Sequence, residues 1–185
     1  MDFDDSYKTI KLIQKEISEL VCFWKSSYGW APIEAAELLS RSMLEWMESL
    51  ANALDLWNRK LTDGELILAW TNIGAIVECL MKLFLSIYYE DYKKDIDAIK
   101  KKGLLIEPDS LNLEKLRTFF CKKIWLSNED WNEWILFIQH RRNSIHAFKS
   151  REIGDTKELL ENIQKLHRFI NSISFRLPPT PENDE

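Results

Sequence analysis

Between Tyr7 and about Lys25 the apolar residues Ile10, Ile13, Ile17, Leu20 and Val21 recur at steps of three and four, with charged and amide side chains between them. That period predicts an amphipathic helix. Gly29 interrupts it. Pro32 then stands where a first helical turn can use a fixed φ and spare a missing N–H, which predicts a second helix from there to about Lys60. Thr62-Asp63-Gly64-Glu65 reads as a capping box, opening a third helix to about Tyr89 that is apolar on most sides. The stretch from Glu90 to Leu113 runs from DYKKDIDAIKKK into Gly103, Pro108 and Asp109, the pattern of a short solvated helix followed by a surface loop. A short helix is expected over about Leu113 to Ile124. Ser127-Asn128-Glu129-Asp130 reads as a second capping box, opening a long helix to about Phe148. Gly154-Asp155 separates it from a last helix over about Thr156 to Phe175, and the terminal PPTPENDE (178–185) reads as a disordered tail.

No segment alternates like a strand, repeats internally or resembles a phosphate-cradling glycine loop. The pattern therefore predicts an all-α fold, an up-and-down helical bundle over residues 62–177. Residues 1–61 form an additional N-terminal helical hairpin, packed on the bundle or extending it or offering an interface.

Composition narrows the class of partner. With a formal net charge of −5 the chain lacks the basic excess that neutralises duplex DNA, although a local basic cluster is compatible with it. Glu78 and Lys82 interrupt the apolar run 66–89, and each would cost about 2.5–3.5 kcal/mol at a bilayer centre, so that run reads as a core helix. The N-terminus, MDFDDSYK, has no secretory pattern. Cys22, Cys79 and Cys121 lie in apolar runs, as buried free thiols do, and a reducing, cytoplasmic setting is expected. Three scattered histidines without matching Cys or carboxylate spacing make no metal site, so neither metal nor cofactor is expected. The eight tryptophans at helical spacing read mostly as core or interface.

One place departs from the pattern. On the helix opened by Ser127, the stripe Trp131, Trp134, Ile135, Ile138, Arg142, Ile145 places an arginine in an apolar row. A guanidinium there must meet a carboxylate, a partner chain or a phosphate, and such local conflicts are where functional sites concentrate. Arg142 and His146 are four apart, and so would be neighbours on one helical face. Arg141, His140, Lys149 and Arg151 add a local basic cluster; Glu78 reads equally as a buried partner for Arg141 or Arg142 and as a partly exposed carboxylate. Lys100-Lys101-Lys102 reads as solvated surface or, second, as an RNA contact.

The apolar helix GELILAWTNIGAIVECLMKLFLSIYY, a variable insertion, and a helix ending RRNSIHAF together resemble the HEPN superfamily over about residues 62–175. The resemblance implies a four- to five-helix bundle that pairs as a homodimer, bringing two Arg/His sets into one cleft that cuts RNA without a metal, in defence or beside a nucleotidyltransferase-like antitoxin. The motif histidine carries over to His146. The motif arginine falls on Arg141 by its spacing to His146, or on Arg142 by its neighbour Asn143. Phe148 stands where many such toxins carry a modifiable tyrosine. Arg would clamp the phosphodiester and His would move the 2′-hydroxyl or leaving-group proton, giving a 2′,3′-cyclic phosphate. Alternatives are a non-catalytic helical module for dimerisation, RNA binding or partner binding, and a regulatory subunit docked through its first helix.

Overall fold

In the computed structural model, which describes residues 3–179, α1 (Phe3–Lys25) turns Ile10, Ile13, Ile17, Val21 and Trp24 inward. Each of the three isoleucines is fully buried, a gain of about 1.5–3 kcal/mol apiece. The single helix expected from Pro32 to Lys60 is instead two, α2 (Ile33–Arg41) and α3 (Leu44–Asn52), followed by a 3₁₀ turn over Ala53–Trp57. Pro32 is the N-cap of α2, just outside its first turn. The break at Ser42 has two causes. Its hydroxyl donates to the Leu38 carbonyl at 2.7 Å, diverting an acceptor from the helix ladder. In addition, α2 packs on α4 while α3 packs chiefly on α1, and one straight helix cannot serve both.

Next comes α4 (Asp63–Ile87), the axis of the bundle. Its start is fixed as the sequence predicted: the Thr62 N–H donates to Glu65 at 2.9 Å. Arg59 also donates to that carboxylate at 2.5 Å, and this bond, with those from Thr62, brings its pKa down to about 2. Leu66, Trp70, Ile73, Val77, Leu80, Met81 and Phe84 of α4 are buried against α2, α3, α6 (Leu113–Lys123), α7 (Trp131–Arg142) and α8 (Thr156–Phe175). Among the described residues it is the one helix long and apolar enough to cross a membrane, and most of that stretch lies inside the bundle.

After the short α5 (Tyr89–Lys94), two antiparallel two-residue strands, β1 (Lys100–Lys101) and β2 (Leu104–Leu105), form a hairpin within the segment expected to be helix and loop. Lys102 and Gly103 turn it with φ of +54° and +83°, the consecutive positive values of a tight hairpin turn. The buried Tyr92 hydroxyl pins it, accepting from the Ile99 N–H and donating to the Ile106 carbonyl. Strands this short leave no alternation to read.

The helices α7 and α8 run antiparallel, joined by Trp134 to Asn162 (2.8 Å) and Arg141 to Glu158 (2.9 Å). Asp155 caps α8 by accepting the Glu158 N–H. No capping box forms at Ser127. Glu129 is drawn instead to the Leu126 N–H (2.6 Å) and to Arg176 (2.6 Å), so α7 starts only at Trp131. Because α1 packs on both α3 and α8, residues 3–57 share one continuous apolar core with the rest. The molecule is an all-α helical bundle. Of the segment 178–185, residues 180–185 lie outside the described residues.

Candidate functional site

The last turn of α7 carries Arg141 and Arg142, and consecutive helical residues point about 100° apart. They consequently meet different helices. The Arg142 stem lies across Gly74 of α4, and its Nη1 donates to Glu78 Oε2 at 2.5 Å. Lys82 holds the other oxygen of that carboxylate at 2.9 Å. Burial pushes the Glu78 pKa up, but the bonds from Arg142 and Lys82 outweigh it and hold the carboxylate below its ordinary value. Arg141 turns to α8: it donates to Glu158 at 2.9 Å and to the Glu152 carbonyl, and its guanidinium lies 4.9 Å from the centre of the Phe137 ring. Its side chain is 11% exposed, against 30% for Arg142.

The α-helix ends at Arg142, short of the Phe148 expected. Residues Asn143–His146 continue as a 3₁₀ turn in which Ser144 is buried, so Arg142 and His146 are not stacked one α-turn apart. Ala147 then takes φ +44° and ψ −31°, and the Phe148 N–H reaches back to the His146 carbonyl at 2.5 Å. A tight turn with positive φ on an alanine is strained. It presents His146 and Phe148 to solvent on either side of the bend.

Two grooves flank this helix end. One, of about 320 Å³, is lined by Glu78, Gln139, Arg142, Asn143, His146 and the Glu114 rim. Glu114 is occupied by Arg117 through bonds of 3.0 and 2.6 Å. The other, of about 410 Å³, is lined by Phe137, His140, Arg141, Arg151 and Glu152. Arg142, rather than Arg141, therefore shares a groove with His146. Among the described residues Arg142 makes one side-chain hydrogen bond, through Nη1, and His146 makes none. Of the remaining sequence candidates, Asn143 lines the first groove, His140 and Arg151 line the second, and Lys149 is exposed on the loop between them.

Among the residues that escaped the sequence reading are Gln139, which lines the groove, and Gly74, on which the Arg142 stem lies. Gln139 stands one turn before Arg142, and helical spacing alone would have placed it there. Gly74, in the middle of the apolar run of α4, was the visible sign of a close approach. The cysteines also differ from expectation: Cys22 and Cys121 are exposed and Cys79 is half-buried, because they fall on the outer sides of α1 and α6 and at the edge of α4. Trp30 and Trp46 are likewise exposed. His167 pairs with Glu16 of α1 at 2.9 Å. Among the described residues no three Cys, His, Asp or Glu side chains come together as a ligand set. No protein-family model, curated protein or solved structure matches this chain.

Proposed function

We propose that this protein is a homodimeric, metal-independent endoribonuclease of the HEPN kind, acting in the cytoplasm in defence or beside a nucleotidyltransferase-like antitoxin. The observation that carries the reading is the groove shared by Arg142, Asn143 and His146. In it Arg142 is the phosphate clamp. Its Nη1 is fixed by Glu78, a positioning residue, while Nε and Nη2 are left to grip a phosphodiester from one side. Exposed and free of side-chain hydrogen bonds among the described residues, His146 is the proton-transfer group. The 2′-oxygen attacks the adjacent phosphorus as its proton leaves, the P–O5′ bond breaks, and O5′ takes up a proton. The products are a 2′,3′-cyclic phosphate and a free 5′-hydroxyl. Two copies of the site in one dimer supply two imidazoles, one for each proton. Arg141 has a different part here, tying α7 to α8 through Glu158.

The test is degradation of a mixed-sequence RNA in excess EDTA. His146→Ala and Arg142→Ala each abolish cleavage with the fold retained, whereas Arg141→Ala lowers stability and leaves cleavage by the folded fraction. Wild-type cleavage by His146→Ala would sink the reading. A second reading is a bundle that binds RNA or a partner without cutting. It is favoured by one observation: both arginines already face carboxylates of their own chain, Arg141 with Glu158 and Arg142 with Glu78. Retention of RNA by the wild type without any cyclic-phosphate product would select it.

A further inference from the structure

Along α1, Glu16, Glu19 and Phe23 stand three and four residues apart and so share one face, and along α8 His167, Asn171 and Ser174 do the same. These faces border a groove of about 490 Å³, which the segment 177–179 leaving α8 also lines. Its walls are aromatic: Trp24 is buried, the Phe23 ring meets it edge-on at 5.1 Å, and Phe175 is 90% exposed. Its polar groups are acids and acceptors. Glu16 offers Oε1 to His167 at 2.9 Å, while Oε2, shut off from solvent, has no hydrogen-bond partner among the described residues. Asn171 and Ser174 add an amide and a hydroxyl oxygen. Among the described residues no Lys or Arg lines the groove, and the exposed Lys15 comes within 3.8 Å of Glu19.

A carboxylate oxygen taken out of water without a donor bears the cost of desolvation and recovers nothing. The group that answers it carries N–H donors and positive charge, and the walls beside it suit an apolar, ring-bearing body. An anion would meet two carboxylates here, and a neutral apolar molecule would leave Oε2 unanswered. The volume falls within the range of about 300–1,000 Å³ found for small-molecule sites. Seven residues of helix separate Glu16 from Phe23, about 10 Å. That is the reach of one amine with a ring at its far end, and too short a track for a docked helix.

We infer that the groove between α1 and α8 is a binding site for a small arylalkylammonium ion, whose ammonium donates to Glu16 Oε2 and Asn171 and whose ring lies between Phe23 and Phe175. The site shares no residue with the groove of Arg142 and His146 and does not depend on the nuclease reading. A lysine side chain from a second copy of the chain is the rival occupant.

The test is isothermal titration calorimetry of the full chain near neutral pH with four probes: tryptamine, tryptophol (a hydroxyl in place of the amine), indole-3-propionate and spermidine. Tryptamine binds saturably, one per chain, and about tenfold or more tighter than tryptophol, and indole-3-propionate does not bind. Glu16→Gln weakens tryptamine about 10- to 100-fold, as loss of a hydrogen bond to a charged group does, and leaves tryptophol unchanged. Phe175→Ala, at an exposed position, weakens tryptamine and tryptophol alike by about 3- to 10-fold, and carries the test alone if Glu16→Gln fails to fold. Absence of saturable tryptamine binding, equal binding of tryptophol, or wild-type affinity in Phe175→Ala overturns the inference. Spermidine bound as tightly as tryptamine overturns it too, since charge alone is then being read. So does a Phe175→Ala protein that elutes as a monomer where the wild type elutes as a dimer, which assigns the face to a contact between copies. RNA cleavage by His146→Ala bears on the nuclease reading alone.

Discussion

Replacing Gly74 by alanine adds one methyl group at the spot where α4 lets Arg142 cross it. That carbon would lie 2.7 Å from Cδ of Arg142 and 3.2 Å from its Cβ and Cγ, so the arginine stem must lift or α7 must shift. Two opposed terms follow. Alanine in a helix interior is worth about 0.8–1 kcal/mol over glycine. Overpacking against a side chain whose head is tied to Glu78 costs about 1–3 kcal/mol. The net expectation is a loss of about 0–2 kcal/mol, and its sign depends on Arg142 being present. In an Arg142→Ala background Cγ and Cδ are gone, only the 3.2 Å approach remains, and Gly74→Ala becomes neutral or stabilising, by up to about 1 kcal/mol. The assay is urea denaturation of the four proteins of this double-mutant cycle, with the midpoints compared at equal slope. A coupling energy below about 0.3 kcal/mol would mean that the two residues act independently. The stem of Arg142 would then not be seated on Gly74, and the groove geometry built on that seat would fall with it.

Glu78→Gln removes the charge that two cations share, and should cost about 1–3 kcal/mol, less than a fully enclosed pair because Arg142 is partly exposed. Because the folded-state pKa of Glu78 is depressed below 4.5, its contribution is complete above the unfolded value and is lost as pH falls through the folded one. Denaturation midpoints should therefore fall less steeply below pH 4.5 in Glu78→Gln than in the wild type; parallel acid limbs would refute this. Ala147→Gly relieves the positive φ, worth about 1–2 kcal/mol, and gives back about 0.4–1 kcal/mol of unfolded-chain entropy. The melting temperature should rise, and a fall would show that Ala147 is not strained. Under native conditions a thiol reagent should modify Cys22 and Cys121 quickly and Cys79 slowly, since burial raises the Cys79 pKa, and in denaturant all three should react at one rate.

Most of the helical frame was legible because burial writes a periodic stripe. Ile10 to Val21, the apolar length of α4 and the start of α8 behind Asp155 all fall where period and caps put them. The misses share a cause: tertiary partners outbid local signals. Glu129 has the spacing of a capping residue behind Leu126, yet Arg176 and Trp131 also claim its carboxylate and α7 begins later. Ser42 divides what looked like one helix because two neighbours require two faces. At the site, the departure of Arg142 from its apolar row was visible in one dimension, and Glu78 was among its candidate partners. Which of two adjacent arginines faces His146 was not visible, since that depends on where the helix stops and on which carboxylate each guanidinium meets.

The early end of α7 also changes what sequence spacing can mean here. While a helix continues, the number of residues between an arginine and a histidine fixes the angle between them, and one insertion moves the second by about 100°. Beyond Arg142 that rule lapses. The chain runs as a bent loop whose near end buries Ser144 and whose far end is fixed by the Ile153 carbonyl, which accepts from Trp70 at 2.7 Å. Within those two anchors, residues can be gained or lost without turning any core side chain outward. The Gly74–Arg142–Glu78 seat, and not the count of residues from arginine to histidine, is what fixes the geometry of this helix end.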